Sequence, residues 1–293
     1  MSLLTTWFCG LPGCLAQTGV LAEEVVFVGK TRFEKLKQQA VQNRWSALAL
    51  GDRTSAIGRS LVGTPYVNYT LEIHDHIEAP SVNLEGLDCW TFFEVALAFA
   101  RLLDEPPDQW TPKRMLYYIE LDRYRGGRCD GTYLSRLHYL EDWLVDNHRR
   151  GLVKDLTREL GGIRAPIRAR EMTLGWKHYR YLKHNPSLLP ELAVHEARIE
   201  RLPVYYIPTA RVAGMENHLK DGDIIGIWSR APNGKISTTH VGLAIHDETG
   251  TLRFMHATTQ EEYGRTVALD IRLSDYLKKF SKHAGILVAR PVR

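Results

Sequence analysis

No stretch of this 293-residue chain is apolar for long enough to span a bilayer, which takes about 20 residues. A transmembrane segment is therefore not expected. The sequence also lacks a glycine-rich phosphate loop, an arginine-rich tract and any zinc-finger spacing, and its basic residues are scattered, giving a net charge of only +4. Nucleotides and nucleic acid are thus not the expected partners. Cysteine is scarce. Cys9, Cys14, Cys89 and Cys129 stand at irregular spacing and do not form a disulfide framework. No HExxH pair occurs, since His195-Glu196 has no second histidine four residues on. His74-Asp75-His76 puts two imidazoles on one side of an extended segment, but in so polar a stretch they read as loop residues. Asp221-Gly222-Asp223 is too poor in ligands for calcium. Neither a metal nor a cofactor is expected.

What is present centres on Asn83-Leu84-Glu85-Gly86-Leu87-Asp88-Cys89-Trp90-Thr91-Phe92-Phe93-Glu94. Beyond Cys89 the apolar residues Phe92, Phe93, Ala96, Leu97, Ala100 and Leu103 recur at helical spacing. Cys89 therefore belongs at the N-terminus of a buried helix, near unpartnered N–H groups and the positive end of the helix dipole. The dipole supplies about 0.3–1 kcal/mol. A thiol of pKa near 8.5 has to fall about two units, roughly 2.7 kcal/mol, to be mostly thiolate at neutral pH. A partner base is required.

The rest of the chain divides by texture. Residues 31–45 and a segment from Asp52 through Ile57 and Leu61 read as helices, stopped by Gly63-Thr64-Pro65-Tyr66. Val67 to Ile73 reads as a short strand or extended arm. Thr111-Pro112 opens a helix ending near Asp122, Tyr133 to Arg150 reads as one long helix with Leu134, Leu137, Leu140 and Leu144 inward, and Asn185-Pro186 opens another. A strand pair is expected near 153–175. After Pro208, Ile224–Trp228, Thr238–His246, Thr251–His256, Arg265–Leu269 and Gly285–Ala289 read as strands of an antiparallel sheet. The class is α+β. With no repeat or linker, one domain over residues 26–293 is expected, carrying a mainly helical insertion at about 111–202. Residues 1–25 read either as a weak export signal without its basic start or as an ordinary apolar segment. Leu11-Pro12-Gly13-Cys14 is a loose match to a lipoprotein cleavage box.

The sheet offers the base. His240 lies near the start of one strand and His256 closes the next; in an antiparallel hairpin the second can bond the far nitrogen of the first and fix its tautomer. Cys89, His240 and His256 are the candidate nucleophile, base and orienter. Gly63-Thr64-Pro65-Tyr66, Asp88-Cys89, His240-Val241-Gly242 and His256-Ala257 resemble the NlpC/P60 superfamily of papain-like cell-wall hydrolases. More narrowly, Leu87 to Glu94, Ser135-Arg136-Leu137-His138-Tyr139, Asp221 to Ile225 and Gly285-Ile286-Leu287-Val288 resemble the DUF1460 family, from about residue 30 to the C-terminus. The resemblance implies a papain-like core, with the cysteine helix packed on an antiparallel sheet. It also implies a cysteine amidase cutting between N-acetylmuramic acid and L-alanine in muropeptides, preferably anhydro-muropeptides, in the bacterial cell envelope, on the periplasmic side. Peptidoglycan fragments are then the partners. Trp90 departs from the small Ser often found there in NlpC/P60 relatives, and the orienter varies in such families.

For substrate binding, Tyr66 is a candidate by the same resemblance, and Trp90 borders the nucleophile. Asp88 either binds polar substrate groups or caps the helix. Arg123, Tyr124, Arg136, His138 and Tyr139, with Tyr133, Ser135 and Trp143, mix arginines and aromatics in a way that suits a sugar bearing carboxylates. The alternative is a solvated helix face with aromatics packed inward. Competing functions are a D-glutamyl–diamino acid endopeptidase of the same fold, a non-catalytic peptidoglycan-binding module, whose thiol is expected to alkylate slowly, and an acyltransferase.

Overall fold

The computed structural model describes residues 21–292. Cys9, Cys14, the Leu11–Cys14 box and residues 1–20 of the expected N-terminal segment lie outside the described residues. Helix α1 (Lys30–Gln42) buries Phe33, Leu36 and Ala40 along one face, and α2 (Leu50–Ser60) buries Leu50, Thr54, Ile57 and Gly58. Helix α3 (Cys89–Leu102) is buried at every position from Thr91 onward. Its start is fixed by a capping box: Thr91 N–H donates to Asp88 Oδ1 at 2.8 Å and Asp88 N–H donates to Thr91 Oγ1 at 3.0 Å. Helix α4 (Pro112–Arg123) begins as its sequence suggests, with Thr111 Oγ1 accepting the Arg114 N–H at 3.2 Å and proline in the first turn.

Two expectations fail here. The long helix over 133–150 is confined to α5 (Leu140–Arg149), because Tyr133–Ser135 forms a single 3-10 turn and Arg136 makes a bridge to Tyr124 instead. The side chain of Arg136 is drawn into buried ion pairs, which hold the chain extended where its leucine spacing favours helix. Val67–Ile73 forms turns rather than a strand, its only ladder-like contact being the Val67 N–H donated to the Leu87 carbonyl. Helix α6 (Leu189–Ile199) follows the Asn185-Pro186 signal by one short turn.

One sheet of eight strands carries the C-terminal half. In chain order they are β1 (Val153–Asp155), β2 (Ile163–Arg164), β3 (Tyr205–Pro208), β4 (Ile224–Arg230), β5 (Ile236–His246), β6 (Leu252–Ala257), β7 (Val267–Arg272) and β8 (His283–Pro291). Their spatial order is β2-β3-β8-β4-β5-β6-β7, with β1 also on β8, and every pairing is antiparallel. Strands do occur near 153 and 163, but they pair with β8 and β3 rather than with each other. The sheet buries both faces. Val241, Leu243, Met255 and Ala257 join the core of α1 to α3, while Ala244, Leu252 and Phe254 pack with Tyr276 and Leu277 of α7 (Leu273–Lys278).

The turn into β4 depends on glycine. Gly222 has φ +81°, and a Cβ there would lie 2.1 Å from the Gly51 carbonyl oxygen of α2. Its neighbours serve structure. Asp221 Oδ1 accepts from the His246 N–H at 2.8 Å, and Asp223 receives both Nε and Nη2 of Arg290 at 2.7 Å. No helix among the described residues is long and apolar enough to cross a membrane.

Candidate active site

Cys89 is the first residue of α3 and is partly exposed in a cleft of about 450 Å³. Its lining takes in Tyr66, Asp88 and Trp90, Tyr133 and Arg136 to Leu140, and Thr238 to Val241 of β5. Past Tyr66 and His240 a second hollow of about 260 Å³ opens, lined by Thr258, Gln260, Tyr276, Lys282 and His283 among others.

The sheet register explains how the histidines meet. Leu243 pairs with Met255, which sets His256 opposite Gly242 and leaves His240 two residues along the same side of β5. His240 Nε2 lies 2.6 Å from His256 Nδ1. His256 in turn pairs with Ala268, and Asp270, two residues further on that side of β7, stands 3.2 Å from His256 Nε2. A bulge precedes this row: Ile227 pairs with His240 but Trp228 with Thr238, so Thr239 is an extra residue that re-aims His240. Gly242 keeps the row compact. A Cβ there would lie 2.4 Å from the Met255 carbonyl oxygen and 2.8 Å from the Phe254 ring, which stacks on His256 at 4.6 Å.

The electrostatics differ from the sequence expectation. Burial pushes the Cys89 thiol up to about 12, helped by the Asp88 carboxylate; the N–H groups of Val241, Cys89 and Trp90 aimed at the sulfur only partly offset this. Burial also holds His240 well below 6.5, with the His256 charge second. Burial thus favours the neutral form of each group, thiol and imidazole, over the ionised thiolate that the sequence suggested. Desolvation outweighs the helix dipole that the sequence pointed to. Slow alkylation by iodoacetamide is then expected of an active enzyme as well, so it does not mark a non-catalytic module.

The candidate substrate residues separate into two groups. Tyr66 and Trp90 line the cleft; burial pushes the Tyr66 hydroxyl up, so it remains a donor, and the Trp90 indole packs edge-on to Phe93 at 5.6 Å. Asp88 also lines the cleft, but its carboxylate caps α3 and takes a hydrogen bond from Thr70 Oγ1 at 3.2 Å. Arg123 and Tyr124 are corrections. Both side chains are buried: Arg123 Nε meets Glu94 at 2.9 Å, and the Tyr124 hydroxyl donates to Glu78 at 2.6 Å. Arg136 borders the cleft yet is spent on Glu78 at 2.5 and 2.9 Å and on Glu72 at 3.3 Å. His138 Nε2 bonds the Tyr133 carbonyl at 2.8 Å, and burial holds it well below 6.5. The Tyr139 hydroxyl donates to Glu196 at 2.6 Å and accepts the Met172 N–H at 3.1 Å. These last three shape the wall through groups already bonded within the protein.

Outside the cleft, His74 Nδ1 accepts from the N–H groups of His76 and Ile77, and His76 Nδ1 lies 3.0 Å from Asn185 Oδ1, as loop residues do. Among the described residues no group of three or more His, Cys, Asp or Glu is placed to hold a metal ion. Asp270 escaped the sequence reading. Its signal was a single carboxylate inside the apolar run Val267-Ala268-Leu269-Asp270-Ile271, on the side set by the strand period. Glu72, Glu171 and Tyr179 of the cleft carried no such signal.

A family model described as AmiA-like, N-acetylmuramoyl-L-alanine amidase-like, matches residues 56–286. Among solved structures, an N-acetylmuramoyl-L-alanine amidase from Bacteroides uniformis is 28% identical with a TM-score of 0.73, over 83% of this chain and 99% of that one. A Bacteroides fragilis protein described as a candidate xylanase is 32% identical with a TM-score of 0.71, over 80% and 99%. A DUF1460 protein from Legionella pneumophila shares the fold at 20% identity and a TM-score of 0.67, over 90% and 94%. No functionally curated protein matches the sequence. By the extent of the family match, together with the fold it shares with the Bacteroides amidase, the chain belongs to the AmiA-like, N-acetylmuramoyl-L-alanine amidase-like family.

Proposed function

We propose that the chain is a cysteine amidase that hydrolyses the amide between N-acetylmuramic acid and L-alanine in muropeptides, including anhydro-muropeptides, on the periplasmic side of the cell envelope. The core is read as papain-like, of the NlpC/P60 kind. One observation carries the mechanism: a partly exposed cysteine at the head of a buried helix lines the same cleft as a histidine whose Nε2 lies 2.6 Å from a second histidine. Because His240 Nε2 faces His256, Nδ1 is the nitrogen left for the thiol. As Cys89 attacks the amide carbonyl, its proton passes to His240, so no resting thiolate is needed. The N–H groups of Cys89 and Trp90 at the start of α3 support the tetrahedral oxyanion. Protonated His240 then gives its proton to the leaving amine, and water releases the acyl group from sulfur.

The test is mass analysis of products from defined muropeptides, with and without EDTA. The amidase releases an intact peptide beginning with L-alanine, and EDTA leaves the rate unchanged. A shorter peptide identifies the endopeptidase. Transfer of the acyl group to an acceptor other than water identifies the acyltransferase. Loss of activity with EDTA excludes the thiol mechanism in favour of a metal. The xylanase description of the B. fragilis relative finds less support, because glycoside hydrolysis needs two available carboxyl groups. Of the three in the cleft, Asp88 caps a helix, Glu72 is paired with Arg136, and Glu171 takes hydrogen bonds from Arg168 Nη1 and the Arg170 N–H.

The pH profile follows from the neutral pair. His240 takes up a proton only well below 6.5 and Cys89 loses one only near 12. The base is free and the thiol protonated across the range between. We expect kcat/KM to fall only on the acid side of 6.5 and to show no alkaline limb near pH 8–9. A thiolate–imidazolium pair gives such a limb as the imidazolium deprotonates, so a bell centred near neutrality contradicts the neutral pair.

A further inference from the structure

The side-chain row across the sheet continues beyond His256. Asp270 lies in the interior of β7 with none of its side chain exposed. Its Oδ2 faces His256 Nε2 at 3.2 Å and Gln260 Nε2 at 3.4 Å. Its Oδ1 takes the Tyr263 hydroxyl at 2.5 Å, the Ile271 N–H at 2.6 Å and Lys279 Nζ at 3.1 Å. Burial by itself raises such a carboxyl, but the hydrogen bonds from His256, Tyr263, Ile271 and Lys279 bring it well below the usual carboxylate range. It is ionised at neutral pH.

An ionised carboxylate only accepts hydrogen bonds. His256 Nε2 must then carry a proton, which leaves His256 Nδ1 as a lone pair. His240 Nε2, 2.6 Å away, must therefore carry the next proton, and Nδ1 of His240, a residue that lines the same cleft as Cys89, is left bare. We propose that Asp270 is a positioning residue that acts through His256 to set the tautomers of both histidines, so that His240 can take the Cys89 proton. Its charge also steadies the imidazolium formed when the S–H bond breaks and the proton joins His240 Nδ1. This rests on the cysteine-amidase reading above.

Asp270→Asn tests it sharply because the two oxygens have different neighbours. Tyr263, Lys279 and the Ile271 N–H all need an acceptor at Oδ1. The new amide must therefore turn its NH2 toward His256 Nε2. That reverses both tautomers and places an N–H where the thiol proton has to go. In protein labelled with 15N-histidine, long-range proton–nitrogen correlation spectra report which nitrogen of each ring is protonated; His240→Gln and His256→Gln assign the signals. Wild type is expected to carry the proton on Nε2 in both rings, and Asp270→Asn on Nδ1 in both. The variant's kcat is expected to drop about 10²-fold or more, with KM within about twofold of wild type because binding groups are untouched.

A wild-type His256 protonated on Nδ1 overturns the proposal, even if the variant does not fold. Unchanged tautomers in a folded Asp270→Asn overturn it too. The spectra need no turnover. Activity surviving in Cys89→Ala refutes the cysteine reading separately and leaves the tautomer result to be judged alone.

Discussion

Cys89→Ala is expected to lower the amidase rate by about 10⁴-fold or more while leaving the fold intact. The mechanism has only one nucleophile, and the attacking sulfur has no substitute in the cleft. Removing a side chain that is partly exposed at the first position of a helix costs little, and alanine is a good residue there. The melting temperature should therefore stay within a few degrees of wild type. Cys89→Ser should be nearly as inactive: its hydroxyl ionises far less readily than a thiol, and His240, held well below 6.5, is a weak base with which to compensate. Full activity in Cys89→Ala, with product masses unchanged, would remove the thiol from the mechanism altogether.

The largest loss of stability is expected from Arg136→Met. Arg136 sits between Glu78 and Glu72 with all three side chains at 5% exposure or less. Deleting the cation leaves two buried carboxylates beside each other and beside the Tyr133 and Tyr124 hydroxyls that donate to them. Breaking a buried pair in this way costs about 3–5 kcal/mol, against a total stability of about 5–15 kcal/mol. A drop in melting temperature on the order of 10 °C follows for a chain of this size. Glu78→Gln combined with Arg136→Met should be less damaging than the sum of the two single changes, since the double variant removes one stranded charge. A variant that melts like wild type but binds muropeptide poorly would instead restore Arg136 as a substrate residue.

That contrast shows where sequence reading reached its limit. Arg123, Tyr124, Arg136, His138 and Tyr139 have the composition of a ligand surface, and composition alone cannot say which partner each polar group has taken. His138 bonds the nearby Tyr133 carbonyl, but the partners of the other four, Glu72, Glu78, Glu94 and Glu196, lie from about thirty to more than fifty residues away in sequence. The same distance hid the break at Tyr133–Ser135, where tertiary ion pairs override a leucine pattern that locally favours helix. The strands fared better. Their alternation and turns are local properties, and β4, β5, β6, β7 and β8 lie within a few residues of where the pattern put them.

By itself the sequence determined the elements whose signals are short-ranged: the capped start of α3 with Cys89 at its head, the proline-opened α4, the hairpin strands and the order cysteine, histidine, histidine. Only the tertiary structure decided that burial raises the thiol pKa, because desolvation depends on everything packed around the sulfur and not on its place in a helix. It also decided that the histidine row ends on Asp270, since the pairing of β5, β6 and β7, with its bulge at Thr239, is what puts the three side chains in line. Local chain preferences select the elements; burial and register, which no local stretch of residues specifies, select the chemistry.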